Sequence, residues 1–295
     1  MAQPSFTILA ARGVLAVAGP DRRGFLQGLV SNDVGKLAAD RAVYAALLTA
    51  QGKYLHDFIM IEQDDEIRLD AEAARLADLK RRLSMYRLRA KVDIVERPEL
   101  AVAAVFGDAA LAALGLPARE GAAQPCEGGV ALTDPRLAAL GGRIIAGRER
   151  IADLQQRFAP AEAAGYDRHR LALGVPDGSR DLVAEKSILL EAGFDELNGV
   201  DWQKGCYVGQ ELTARTKYRG LIKRRLFPVE IDGEAPVPGT MLTAGGQEAG
   251  EMRSSQDGLG LALLRLDAIA DGRRMTADGA VLTPVRPPWM RVAEA

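Results

Sequence analysis

Apolar residues fall in short runs punctuated by Gly, Pro and acidic turns. FTIL (6–9) and GVLAVA (13–18) read as two strands turning at Arg12-Gly13. DRRGFLQGLVSND (21–33) reads as a helix with Asp21 as its N-cap. VYAALLT (43–49) and KYLHDFIMI (53–61) are apolar on both faces and belong inside a sheet, and an acidic turn at 64–66 leads into IRLD. AEAARLADLKRRL (71–83) sets Leu76, Leu79 and Leu83 on one helical face. YRLRAKV (86–92) alternates strictly, which predicts a strand with Arg87, Arg89 and Lys91 on one side.

Residues 98–158 alternate short strands and helices, and Ala/Gly/Pro-rich 113–128 reads as a surface loop. A helix follows over 161–174. After Arg225 the pattern changes to short strands with Gly and Pro turns, which predicts a small C-terminal β-barrel or sandwich. The class is α+β.

Length adds that 295 residues suit two or three sub-domains rather than one core. A net charge of −2, with 48% apolar and 26% charged residues, is an ordinary soluble composition. It gives no support to general nucleic-acid or anionic-membrane binding. No apolar run reaches membrane-spanning length. The N-terminus lacks the pattern of a signal peptide, so a cytoplasmic protein, whole from its first residue, is expected.

The candidate chemistry centres on NGVDWQKGCYVGQELTARTKYRGLIKRR (198–225). It holds Cys206, one of only two cysteines; Cys126 follows proline in a loop-like stretch and reads as incidental. Two thiols cannot hold an ordinary iron–sulfur cluster, and two histidines, His56 and His169, show no zinc spacing. A lone cysteine usually packs as a small hydrophobe. Here Gly205 and Gly209 argue for close backbone approach, and a helix from about Val208 to Thr216 sets Cys206 just ahead of its N-terminus. Lys204 adds positive charge, so the stretch reads as an exposed turn presenting an activated sulfur.

RTKYRGLIKRR (215–225) carries six cations and no anion. It is either a solvated face, with Glu211 and Arg215 paired at i,i+4, or an anion dock. Arg87 and Arg89 are expected to line the same cavity. Glu191, in LLEAGF, is either an exposed helix residue or a carboxylate that reads a ligand edge. Lys53 and Asp57 fall on one strand face roughly 13 Å apart, so each needs another partner. No nucleophile elbow, Walker loop or G-x-G-x-x-G is present.

KGCYVGQE with LTART…RG…KRRL resembles the signature of the YgfZ-type folate-binding proteins. These are relatives of the glycine-cleavage T-protein and include the mitochondrial assembly factor for 4Fe–4S proteins. FLQGLVSNDV, ALLTAQGKYLHDF and YRLRAKV match further blocks in order, so the resemblance spans about residue 6 to at least 230. It implies a T-protein-like fold over 1–221, with two interleaved lobes, the second over about 50–158. A β-barrel over 222–295 and a central folate-sized cavity complete it. It also implies tetrahydrofolate binding, with no stably held cluster, and assembly or repair of clusters in client enzymes, including radical-SAM tRNA-modifying enzymes. The family's cysteine falls on Cys206 within Lys204, Gly205, Tyr207, Gly209, Gln210 and Glu211, and the T-protein's pterin-binding glutamate falls on Glu191. Arg215, Lys53, Asp57, Arg87 and Arg89 complete the expected folate site. The alternative is a folate-dependent aminomethyl or one-carbon transferase or demethylase of the T-protein type, although its aromatic-Ile-Gly segment is replaced here by CYVGQE. A third option is a folate-free scaffold that docks an acidic partner. A monomer is expected, partnered by folate, iron–sulfur clients and assembly proteins. Its compartment is a bacterial cytoplasm, or the mitochondrial matrix if eukaryotic.

Overall fold

A computed structural model describes residues 3–220, 222–270 and 274–291. The chain opens with β1 (Ser5–Ile8), β2 (Arg12–Ala18) and α1 (Arg22–Gln27). β3 (Val43–Leu48), β4 (Tyr54–Gln63), β5 (Glu66–Glu72), α2 (Leu76–Met85) and β6 (Asp93–Glu96) follow. Then come β7 (Leu100–Phe106), α3 (Ala110–Ala113), β8 (Ala123–Cys126), β9 (Gly129–Thr133), β10 (Gly142–Gly147), α4 (Arg148–Gln155), β11 (Ala159–Pro160) and α5 (Ala163–Ala172).

β1 and β2 are neighbours in sequence but enter different sheets. One sheet runs β3-β4-β5-β2-β6 and the other β11-β1-β7-β10-β9-β8. The lobes are therefore interleaved through β1, and their boundary lies near residue 97. The expected second lobe over 50–158 starts too early, because the antiparallel ladder β3-β4-β5 binds residues 54–72 to the first lobe. β8 forms the edge of the second sheet inside a stretch read as loop.

α1 is shorter than its pattern, ending at Gln27. Asp21 does not cap it; its carboxylate accepts from the Lys91 amide at 2.7 Å. That bond pins residues 86–92, which form turns and not a strand. Tyr86, Arg87 and Ala90 donate back to Leu83, Ser84 and Arg87 carbonyls, and Leu88 sits at φ 40°, 91% exposed. Alternation of Arg and Leu needs a neighbouring strand to become sheet, and the ladder begins only at Asp93. The α2 stripe behaves as expected: Leu76, Leu79 and Leu83 are buried, and Gly13 leaves the room that Leu76 occupies.

α6 (Gln210–Arg219) leads to the C-terminal unit, a closed barrel of β12 (Arg224–Asp232), β13 (Met241–Ala244), β14 (Gln247–Gln256), β15 (Leu259–Arg265), β16 (Met275–Ala277) and β17 (Ala280–Pro284), with α7 (Leu266–Ala270) beside it. β16 and α7 go beyond the sequence reading.

Charge, not only hydrocarbon, joins these units. Asp70 of β5 accepts from Arg12 Nε at 2.7 Å and from Arg143 Nη1 of β10 at 2.7 Å, across the two sheets. Arg143 and Arg136 both donate to Asp134 at 2.8 Å. All but Arg12 are under 5% exposed. Arg170 of α5 pairs with Asp167 and Asp181 and donates to Ser254 of β14 at 2.7 Å, fastening the lobes to the barrel.

Candidate functional site

The thiol stands on a loop fixed from every side. Asp201 begins it, accepting from the amides of Gln203 (2.6 Å) and Lys204 (3.0 Å) and from Lys36 Nζ (2.5 Å). The Lys204 ammonium then donates to the carbonyls of Gln27 (2.9 Å), the last residue of α1, and of Val30 (2.6 Å) and Asn32 (2.8 Å) beyond it. It also lies 5.0 Å from the centre of the Tyr207 ring. Burial pulls it down to about 8, against Asp33 and Asp201. Its donors are thus spent on the scaffold, and its role is to anchor the loop. Lys204→Met strands three carbonyls and is expected to cost about 2–3 kcal/mol, read as a lowered urea midpoint.

Beyond Cys206, Tyr207 is buried and Val208 packs into the first-lobe core, its amide donating to Gly28. Burial pushes the Tyr207 phenol up to about 12. The Gln210 side chain accepts from the Tyr207 amide at 3.2 Å. Gly209, at φ 82°, lies against the β3–β4 turn: a Cβ there would stand 2.4 Å from the Thr49 carbonyl oxygen. Gly52 in that turn, at φ 80°, would meet the Gly209 carbonyl at 2.6 Å. The close approach expected of the glycines is therefore real at Gly209 but made by the protein's own hairpin. Gly205 faces open space, as does Cys206, which is exposed. The helix starts at Gln210, two residues later than its pattern, with Gly209 as its N-cap.

A cavity of about 710 Å³ opens where the second lobe, the 195–202 segment, α6 and the barrel meet. Arg136, Asp195, Trp202, Lys217, Arg225 and Trp289 are among its walls. A second cavity of about 300 Å³, walled partly by Asn32 and Tyr44 of the first lobe, shares Glu120 and Asn198 with it. Cys206 and Glu191 wall neither cavity.

The other expected site residues are distributed around this centre. Glu191 is half-buried; burial pushes its carboxyl up, against the pull of Lys53, Arg224 and Arg253. The Lys53 charge is felt at Glu191, but the two form no ion pair among the described residues. Asp57 is sealed instead, accepting from the Tyr44 hydroxyl at 2.9 Å and the Tyr54 hydroxyl at 2.8 Å. Burial, then the Asp57 charge, raises both phenols well above their ordinary value. Glu211 and Arg215 are exposed and form no ion pair among the described residues. In the basic block, Lys217, Arg224 and Arg225 are taken up by Asp195, Glu248 and Glu196. Arg87 and Arg89 do not share the central cavity; they border a separate open one of about 670 Å³ beside Phe25 and Leu29. The sequence reading missed Asp195, Trp202 and Trp289, and singled out Arg225 only as a member of the basic block. One signal was available, since Trp202 and Trp289 are the only two tryptophans in the chain.

A family model described as the CAF17 C-terminal beta-barrel domain matches residues 223–292, the barrel above. The human protein named iron-sulfur cluster assembly factor IBA57, mitochondrial, is 38% identical over 280 residues, covering 87% of this chain and 76% of its own length. The chain belongs to the IBA57 family. The mouse member is 35% identical, with 97% of this chain and 85% of its own length covered. The YgfZ-type proteins are the bacterial relatives of this IBA57 branch. Glycine cleavage system aminomethyltransferase T from Bartonella henselae superposes with a TM-score of 0.80 at 17% identity, over 98% of this chain and 87% of that one, so this chain shares its fold. No described helix is long and apolar enough to cross a membrane.

Proposed function

We propose that the protein is a tetrahydrofolate-binding factor that assembles or repairs iron–sulfur clusters in client enzymes, with the Cys206 thiol as its reactive group. One observation carries the reading: in a chain whose relatives are named iron–sulfur cluster assembly factors, the surrounding motif residues hold the loop and leave the sulfur exposed. A cluster in transit is cargo on this reading, handed between proteins. Among the described residues no group of three or more His, Cys, Asp or Glu could hold a metal alone, and a single exposed cysteine side chain suits a shared, transient ligand. The central cavity falls in the size range of small-molecule sites and has aromatic walls suited to a pterin. Exposed Arg215 and Arg219, free of ion pairs among the described residues, suit an acidic client surface. Clients would include radical-SAM tRNA-modifying enzymes, met in the mitochondrial matrix of a eukaryote or the cytoplasm of a bacterium.

In cells lacking the gene, the activity of 4Fe–4S enzymes is expected to fall, and Cys206→Ser is expected to restore none of it. The side chain is exposed, so the variant should accumulate to the normal level. Full rescue by this variant would remove the thiol from the mechanism.

A further inference from the structure

We infer that the turns after α2, with the groove beside them, dock a partner protein whose contact surface is apolar at its centre and acidic at its rim. The inference rests on the proposed reading as an iron–sulfur assembly factor and names the face that its clients use.

The tip of these turns is built for contact outside the chain. Leu88 is 91% exposed at φ 40°, and Met85 and Tyr86 beside it are 57% and 39% exposed. A leucine at that φ is strained, whereas glycine or asparagine would fit the turn and leave no hydrocarbon in water. Strain and exposure at one residue, with so little of its side chain packed, mark a surface held for a partner. The open groove of about 670 Å³ beside it has Phe25 and Leu29 among its walls.

The charge around this apolar centre is positive. Arg89 and Lys91 are exposed and form no ion pair among the described residues. Arg87 stands 3.7 Å from Asp93, with both side chains open to water. Asp21 is the one carboxylate among the groove's walls, and it is engaged by the Lys91 amide at 2.7 Å. The complement is an apolar patch rimmed by carboxylates.

Continuity with the thiol loop selects a protein as the occupant. α1 walls the groove through Gly24 and Phe25, and its C-cap Gly28 accepts from the Val208 amide, two residues beyond Cys206. Gly24 and Gly28 are exposed and about 6 Å apart along the helix axis. A Cβ at either would meet nothing, so no side chain of α1 stands on this path at those positions. Phe25 and Val208 pack against the same first-lobe core. A partner seated on the tip can therefore extend along α1 towards the exposed sulfur.

The test uses the full-length chain in cells lacking the gene. Leu88→Ser/Arg89→Glu is compared with Cys206→Ser and with Val237→Glu, a control at a 69% exposed position of the barrel unit. The tip variant should unfold at the parental temperature and restore at least about fivefold less 4Fe–4S enzyme activity; Val237→Glu should restore the parental level. A photocrosslinking benzoylphenylalanine placed at position 88 should capture iron–sulfur proteins, and adding Arg89→Glu should reduce that capture. Full restoration by the tip variant while Cys206→Ser fails, or capture of proteins without clusters alone, overturns the docking surface and leaves the proposed function standing. If the tip variant and Cys206→Ser both restore activity, both ideas fall. Purified protein should not co-sediment with phosphatidylglycerol vesicles; co-sedimentation that Leu88→Ser/Arg89→Glu abolishes would assign the tip to a membrane surface and overturn the protein partner.

Discussion

An Asp134→Ala protein is expected to lose about 3–5 kcal/mol of stability, the cost of breaking a buried ion pair from one side. Asp134 is 1% exposed and accepts from two guanidiniums, Arg136 and Arg143, both nearly as buried. Removing it leaves Arg136 without its counter-charge, and Arg143 with Asp70 alone, at the junction of the lobes. Against a total of about 5–15 kcal/mol for an ordinary domain, the urea midpoint should fall by about a fifth or more. The same group predicts the acid side of the stability curve. Burial alone would raise the carboxyl, but Arg136 and Arg143 hold it well below the usual carboxylate range. Its folded value is thus depressed, so its contribution is complete above the unfolded value of about 3.9 and fades as the pH drops below that. Urea midpoints should decline below about pH 4 in the parent protein, and less steeply in Asp134→Asn. Equal slopes would assign the acid sensitivity elsewhere.

Gly209→Ala should be nearly as damaging, though it adds a single carbon. The backbone there has φ 82°, and the new Cβ would stand 2.4 Å from the Thr49 carbonyl and 2.8 Å from Leu48 Cβ. Left-handed strain and overpacking together cost about 2–5 kcal/mol. Neither obstacle can swing aside, because Thr49 contributes backbone and Leu48 is a buried strand residue. The β3–β4 turn must move or the Cys206 loop must lift, so the variant should show a lower unfolding temperature and faster alkylation of Cys206. Gly205→Ala is the control: its Cβ meets nothing, and the unfolding temperature should stay within about 1 °C. A tolerant Gly209 would show that the hairpin and the loop are not mutually locked.

The contrast between those glycines shows what kind of information each stretch carries. KGCYVGQE could be singled out because its chemistry lies in consecutive residues, and local spacing is what a sequence displays directly. The purposes of its members could not, because Lys204 answers to carbonyls at 27, 30 and 32 and Gly209 to a turn at 49–52. YRLRAKV misled for a related reason. Alternation becomes sheet only beside a partner strand, and Asp21 instead ties Lys91 into turns.

The sequence by itself determined the α+β elements, the α2 stripe, the change to barrel strands after Arg225 and the stretch that presents the thiol. Each follows from periodicity or from neighbours within a few positions. Only the tertiary structure decided that β1 leaves β2 for the other lobe, that Arg12, Asp70, Arg143 and Asp134 share buried charge, and that Asp195, Trp202, Arg225 and Trp289 wall one cavity. Such groupings join residues tens to hundreds of positions apart, and the free energy of burying or pairing them exists only once the chain has folded.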